Sequence, residues 1–322
     1  MIRIFKLYLL PILTTMAKKT CVVFGGTGLI GSALRKIMPS WIYLGSKDCD
    51  LVNFPSVVET FKKYKPDEVI FLAANVGGLY KNMAQNYSIY MDNQKMQMNI
   101  IEVCNLFGVK NAIFCLSTCI YPSKVKYPIK EDYLHNGAPH DSNYGYSYAK
   151  RNMEIMCRMS NETFGSNFKC IVPTNIYGES DNFSIANGHV LPALIHKAYN
   201  VSIGEEDILE IRGSGNALRQ FIYSGDVAKL ICKILRLKRA NTFILAPTDE
   251  YLIKDLVSLI GDEFGIHPDK IKYTYETDGQ YKKTVSNEKL LKLVPSFEFT
   301  KLDTGVRNTI RWFKKNYETA RT

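Results

Sequence analysis

Short apolar runs alternate with helical periodicity along most of the chain. Residues 20–24 (TCVVF) are apolar almost throughout and predict a buried strand, followed by a glycine turn and a helix over 30–37. The same reading predicts strands at 41–44, 68–73, 112–117 and 168–173, and helices at 57–64, 93–107 and 146–164. Strands that are apolar on both sides, joined by helices, belong to a parallel sheet covered on both faces. The predicted fold is therefore α/β, a Rossmann-type doubly wound parallel sheet.

The pattern changes after Pro173. Residues 175–187 are rich in Asn, Gly, Asp and Ser, a loop composition. A helix at 189–199, a strand at 209–211 and a turn at 213–216 follow. Residues 220–235 read as a return to the sheet, 242–245 as a late strand, and 253–264 and 304–316 as amphipathic helices. The expected division is a large domain of residues 18–178 with 220–248. A smaller, discontinuous α/β lobe of 179–219 with 249–322 closes over the carboxyl ends of the strands. Residues 1–17 stand apart. Arg3 and Lys6 precede an apolar run in the manner of a secretory signal, but Pro11 breaks it. A disordered extension, or a working start at Met16, is the expectation.

Composition narrows the class. Of 322 residues, 46% are apolar and 22% charged, enough to bury a large core in an ordinary globular protein. No run of eighteen apolar residues occurs, so no membrane span is expected. The eight cysteines form no C-x-x-C pair, and several lie in apolar strand runs. That usage suits buried thiols in a reducing, cytoplasmic compartment rather than a disulfide frame or a metal site. The net charge of +10 is scattered, without a zinc-finger, RRM or helix-turn-helix signature. Nucleic acid is not the expected partner; small phosphate-bearing ligands account for the charge equally well.

The glycine turn names such a ligand. In CVVFGGTGLIGSAL, Gly25, Gly28 and Gly31 are spaced for a tight strand-to-helix turn, backbone approach to a pyrophosphate, and close helix–sheet packing. The helix that follows directs free N–H groups at the anion. An NAD site usually carries a carboxylate at the tip of the second strand. Here Ser46 and Lys47 come first, Asp48 and Asp50 later, and Arg35 lies on the first helix, which favours the 2′-phosphate of NADP(H).

Tyr146-Ser147-Tyr148-Ala149-Lys150 contains Y-x-x-x-K. Positions four apart share one helix face, so a phenol and an ammonium reach one site. The neighbouring cation is expected to lower the phenol pKa. Ser117 ends a core strand, where substrates bind in open α/β sheets. Together Ser117, Tyr146 and Lys150 resemble the Ser-Tyr-Lys set of the extended short-chain dehydrogenase/reductase superfamily, which implies reduction of a carbonyl.

Two further residues could move protons. Cys119 follows Ser117 in LSTCIYP; a thiol has a reference pKa of about 8.5 that positive charge can lower, and its bland alternative is a small buried filler. His189, at the start of the helix after the polar loop, titrates near neutrality, with helix capping or core packing as its alternative.

The segments FLAANVGGLYKN, CLSTCIYP, HNGAPHDSNYGYSYAKR, PTNIYGESDNF, GHVLPALIHK, LRQFIYS and DGQYKKT together resemble the GDP-L-fucose synthases. These are bifunctional 3,5-epimerase/4-reductases of that superfamily, and the likeness runs from about Lys18 to near the C-terminus. It implies that Ser117, Tyr146 and Lys150 are the reductase triad, and that Cys119 and His189 are the epimerisation pair. It implies epimerisation of GDP-4-keto-6-deoxy-D-mannose at carbons 3 and 5, then NADPH-dependent reduction at carbon 4. Leu29, Ile30, Asp50, Leu51, Ala73, Ala74, Pro173, Asn175 and His189 would join the glycines, Arg35, Lys47, Tyr146 and Lys150 around the cofactor. Asn175, Asn182, Val190, Lys197, Arg212, Arg219, Asp278 and Lys283 would line the nucleotide sugar. Arg212 stands where some members carry tryptophan. The family usually dimerises through its two long helices, here 93–107 and 146–164. The alternatives are a 4-epimerase or 4,6-dehydratase of the superfamily and, further off, a non-catalytic dinucleotide-sensing protein.

Overall fold

The computed structural model describes residues 19–239, 241–274 and 280–322. The extension expected at 1–17 and the candidate Asp278 lie outside the described residues. In the first half, strands and helices alternate: β1 (Cys21–Phe24), α1 (Leu29–Ile37), β2 (Ile42–Leu44), α2 (Phe54–Tyr64), β3 (Glu68–Phe71), α3 (Leu79–Ala84), α4 (Asn86–Leu106), β4 (Asn111–Cys115), α5 (Tyr144–Phe164) and β5 (Asn167–Pro173). Shorter strands follow: β6 (Asn175–Tyr177), α6 (Val190–Ser202), β7 (Leu209–Ile211), β8 (Leu218–Arg219), β9 (Phe221–Tyr223), α7 (Ser224–Leu235), β10 (Thr242–Leu245), β11 (Tyr251–Leu252), α8 (Ile253–Phe264), β12 (Ile271–Tyr273), α9 (Glu288–Leu293) and α10 (Leu302–Lys315).

The main sheet has the order β10-β5-β4-β3-β1-β2, with every pair parallel. Alternation within each strand builds two cores. Phe24, Phe71, Phe114 and Phe168 point to the side covered by Val57 and Phe61 of α2, Ile100 and Cys104 of α4, and Met153 and Cys157 of α5. Val23, Ile70, Ile113 and Ile171 point to the other, covered by Leu34 of α1 and Leu230, Ile231 and Ile234 of α7. This is the doubly wound arrangement that the continuous apolar strands predicted. Its crevice opens where β2 and β3 leave opposite sides of β1, at the carboxyl ends of the strands.

Two helices begin earlier than their apolar periodicity. Asn53 caps α2 by accepting a hydrogen bond from Ser56 N at 3.2 Å, with Pro55 in the first turn. In α4 the first turns are polar and partly solvent-facing, so apolar spacing marks only the later turns.

A third core joins Leu191, Leu194 and Ile195 of α6, Leu256, Val257 and Ile260 of α8, and Val306, Ile310 and Phe313 of α10 around Tyr177 and Phe183. Between this core and the sheet runs the segment 280–286. Leu218 N donates to Tyr281 O (2.8 Å), Ile129 N to Thr284 O (2.9 Å), and Ser286 N to Ile129 O (2.7 Å). Val285 N donates to the Gln220 side chain at 2.9 Å. The chain then returns to the sheet, where Leu290 of α9 packs in the second core. Among the described residues, no helix is long and apolar enough to cross a membrane.

Candidate active site

The turn from β1 to α1 is built by close backbone approach. Gly25 has φ +80°, and a Cβ there would lie 2.7 Å from Ala73 N. A Cβ on Gly31 would lie 2.6 Å from the Gly26 backbone, so only glycine lets α1 press onto the turn. Gly25 and Gly26 both donate to Leu44 O, at 3.0 and 2.9 Å, which locks the turn to the end of β2. Gly28 is the N-cap of α1. No side chain bonds to that helix end and its first turn holds no acid, so its N–H groups and positive dipole end face the crevice. Leu29 and Ile30 begin the helix. These residues fit a pyrophosphate.

Farther out, Gly26, Thr27, Ser32, Arg35 and Lys36 line an open groove of about 490 Å³. The Arg35 guanidinium lies 4.8 Å from the Tyr43 ring centroid, and Lys47 is exposed in the turn after β2. The nearby acids serve their own loop. Asp48 accepts from Gly45 N at 2.7 Å and Asp50 from Val52 N at 3.0 Å, while Leu51 is buried. Ala73 and Ala74 follow β3 and are half-buried beside Gly25. The groove is thus basic at the position expected for a 2′-phosphate.

The second cluster gathers at the carboxyl end of β4. Ser117 caps a short helical turn, Thr118–Ile120, and its hydroxyl accepts from Cys119 N at 3.5 Å. Helix α5 grips this turn and the end of β4 before it through three side chains. Lys150 Nζ donates to Cys115 O at 2.7 Å, Ser147 Oγ to Cys119 O at 2.9 Å, and Arg151 Nε to Ile120 O at 2.5 Å. The Lys150 ammonium lies 5.8 Å from the Tyr146 ring centroid. The structure therefore brings Ser117, Cys119, Tyr146 and Lys150 to one edge of the sheet.

The electrostatics differ from the expectation that Lys150 lowers the Tyr146 pKa. Burial is the largest influence on both groups. It raises the Tyr146 phenol well above the usual tyrosine value, with Cys119 and Cys115 adding to the rise. It lowers the Lys150 ammonium, opposed in part by Cys115, Cys119 and Cys170. Removing water costs the charged forms more than the ammonium returns, so the phenol stays protonated.

Cys119 is half-buried. It faces a cavity of about 10 Å³ shared with Tyr121, His140, Asn143, Gln280 and Lys283. His189 is the N-cap of α6, but its side chain makes no capping bond and is absent from the core, so neither bland reading of this histidine describes it. The residue is exposed at the start of α6, while the protein around its ring displaces enough water to lower the imidazole pKa. Gly78 N donates to Asn187 O at 3.0 Å, which ties the approach to α6 to the loop between β3 and α3.

The other candidates are more dispersed. Pro173 ends β5 opposite Leu245, and the Asn175 side chain donates to Gln220 O at 2.9 Å. Asn182 accepts from Ser184 N at 3.1 Å, and Val190 is exposed at the start of α6. Lys197 donates to Glu210 O at 2.9 Å, and Arg212 is close enough to add to the burial that lowers the Lys197 pKa. Arg219 donates to Leu218 O (2.8 Å), Gln280 O (2.6 Å) and Tyr281 O (3.2 Å), so its guanidinium anchors the 280–281 backbone. Sequence reasoning left out Ser147 and Arg151, although they form a second i, i+4 pair one residue behind Tyr146 and Lys150. It also left out His140, Asn143 and Gln280, for which no local pattern exists.

A family model described as "NAD dependent epimerase/dehydratase family" matches residues 21–245. The chain is 42% identical over 317 residues to a GDP-L-fucose synthase of Dictyostelium discoideum, covering 95% of this chain and 99% of that protein. It is 37% identical over 319 residues to a probable GDP-L-fucose synthase of Drosophila melanogaster, covering 94% and 99%. The crystal structure of a GDP-L-fucose synthetase from Naegleria fowleri bound to NADP is similar with a TM-score of 0.87 at 40% identity, covering 95% of each chain.

Proposed function

We infer the activity of this chain from the family to which it belongs, the GDP-L-fucose synthases within the NAD dependent epimerase/dehydratase family. It is an NADP-dependent epimerase and oxidoreductase. Its reaction is the conversion of GDP-4-keto-6-deoxy-D-mannose to GDP-L-fucose, by epimerisation at carbons 3 and 5 and reduction of the carbon-4 ketone. The observation that carries the reading is the grip of α5 on the Cys119 turn, which holds a thiol and the Tyr146–Lys150 pair at one strand end.

In the proposed mechanism, the ketone acidifies the protons on carbons 3 and 5. Cys119 removes a proton from one face and His189 returns one to the other, inverting each centre in turn. The negative charge that develops on the 4-oxygen is held by the Ser117 hydroxyl and the Tyr146 phenol. NADPH, when bound, supplies the hydride for carbon 4. Tyr146 then protonates the 4-oxygen, a role that its protonated, buried phenol suits. Lys150 orients Tyr146 and the cofactor ribose. The glycine turn, Leu29, Ile30, Ala73 and Ala74 hold the pyrophosphate side of the cofactor, and Arg35 and Lys47 its 2′-phosphate. Asn175, Asn182, Val190, Lys197, Arg212 and Arg219 contribute to the nucleotide-sugar side.

The two sheet cores form the cofactor-binding domain, and the third core forms the sugar-nucleotide lobe. Tyr87, Met98 and Leu106 of α4, with Met159 and Phe164 of α5, expose large apolar side chains on adjacent helices, the face proposed to join a homodimer. The eight free thiols, six of them buried, suit the cytoplasm as its compartment. The test is incubation with GDP-4-keto-6-deoxy-D-mannose and NADPH. Oxidation of NADPH with formation of GDP-L-fucose is expected; neither occurring refutes the assignment.

A further inference from the structure

One pair of proton carriers serving two carbons must be reset between them. After the first inversion Cys119 holds the proton that it removed, and His189 lacks the proton that it gave. His189 is exposed and can recover a proton from solvent. Cys119 instead faces a cavity of about 10 Å³, room for about one water.

Few groups on that cavity can accept a proton. Tyr121 is a buried phenol whose pKa burial raises, so it stays neutral and has no proton site to offer. Asn143 and Gln280 carry amides. His140 Nδ1 accepts from Ser142 N at 3.3 Å and lies 2.8 Å from Ser142 Oγ; with Nδ1 as the acceptor the ring's proton is on Nε2, so a second proton could be taken only at Nδ1, at the cost of that cap. Lys283 remains.

Its placement is specific. Its neighbours are pinned: Tyr127 OH donates to Lys282 O at 2.7 Å, and Ile129 N to Thr284 O at 2.9 Å. Lys282 turns away, its ammonium 3.6 Å from the Glu250 carboxylate. Lys283 lines the Cys119 cavity and has no carboxylate partner among the described residues.

We propose that Lys283 is the group that takes the proton from Cys119 between the two inversions. The thiol S–H bond breaks, a new N–H bond forms on the neutral amine, and thiolate and ammonium result; the ammonium then loses a proton to water. Burial lowers the Lys283 ammonium, with Cys119 opposing and Arg219 reinforcing, which makes a neutral amine accessible. The inference rests on Cys119 as the epimerisation base. It replaces the contact with the nucleotide sugar that the family likeness alone implies for Lys283.

The test uses the full chain, in excess over GDP-4-keto-6-deoxy-D-mannose and with NADP⁺ in deuterated water so that each molecule turns over once, reading deuterium at carbons 3 and 5. The unaltered protein labels both. Lys283→Arg keeps the charge but does not release its proton, and should label one carbon normally while the other slows about a hundredfold. Lys283→Ala should behave likewise and recover with added methylamine. Either variant labelling both carbons in the unaltered ratio overturns the proposal, as does failure of methylamine to restore Lys283→Ala. Weakened GDP binding with that ratio intact overturns it in favour of a phosphate contact. An unaltered protein that labels neither carbon overturns the proposed function, and this inference with it.

Discussion

The Ser147 hydroxyl donates to the backbone carbonyl of Cys119 at 2.9 Å, so the residue next to Tyr146 on α5 fixes the turn that presents the thiol. Positions of the phenol and the thiol are thereby set by a single helix. Removing this bond with Ser147→Ala loses about 1 kcal/mol of local restraint. Deuterium exchange at carbons 3 and 5 should slow about tenfold, with NADPH affinity unchanged. Undiminished exchange would show that Lys150 and Arg151 hold the turn unaided.

Burial keeps the Tyr146 phenol protonated. Ketone reduction at saturating NADPH should therefore show no falling limb from this group below pH of about 10. Tyr146→Phe should lower the reduction rate by about 10²–10⁴, while exchange at the neighbouring carbons continues at a reduced rate, supported by the remaining Ser117 hydroxyl. A downward limb near neutrality that disappears in Tyr146→Phe would contradict the protonated-donor role.

Arg35 lies on the basic groove beside Ser32 and Lys36. Charge-assisted hydrogen bonds contribute about 1.5–3 kcal/mol, so Arg35→Ala should weaken NADPH binding about ten- to a hundredfold and leave NADH binding nearly unchanged. Titration of both cofactors measures the difference. Equal weakening would mean that Arg35 does not read the 2′-phosphate.

Asp181 is 4% exposed, and its Oδ2 has no hydrogen-bond partner. Desolvation raises its pKa from 3.8 to about 7, although Asn182 N and Arg321 pull it down. A carboxyl raised in the folded state binds protons more tightly there than in the unfolded chain. Its effect on stability is therefore most favourable below pH 3.8, declines as pH rises through the window to about 7, and is flat above. Asp181→Asn should remove that decline and be more stable than the unaltered protein above pH 7 by at most about 4 kcal/mol. The gain should vanish near pH 4. Thermal unfolding at several pH values tests this; a gain independent of pH would rule out ionisation as its source.

The order of strands and helices was legible because each strand buries both faces and each helix carries one apolar stripe. The glycine turn and the Tyr146–Lys150 spacing are likewise local, complete within a few residues. The Cys119 cavity is not. Gln280 and Ser123 stand 157 residues apart and meet through a side-chain bond of 3.5 Å, which no periodicity announces. Strand β7 was legible at 209–211, but its partner β12 and the pair β8–β11 involve three and two residues per strand, too short for alternation to register. The Tyr146 electrostatics escaped for another reason. Its sequence neighbours reveal a nearby cation, but only packing reveals how little water remains.

The late segment 280–286 also has a consequence for how the protein comes into being. Synthesis proceeds from the N-terminus, and early portions fold first. The glycine cradle, β1 to β5 and α5 are complete long before Gln280 and Lys283 are joined to the chain. A growing polypeptide thus carries its dinucleotide cradle while the wall beside Cys119 is still missing. On the ribosome, the residues of the cofactor cradle are therefore made before the wall beside Cys119 and before α10, which completes the third core.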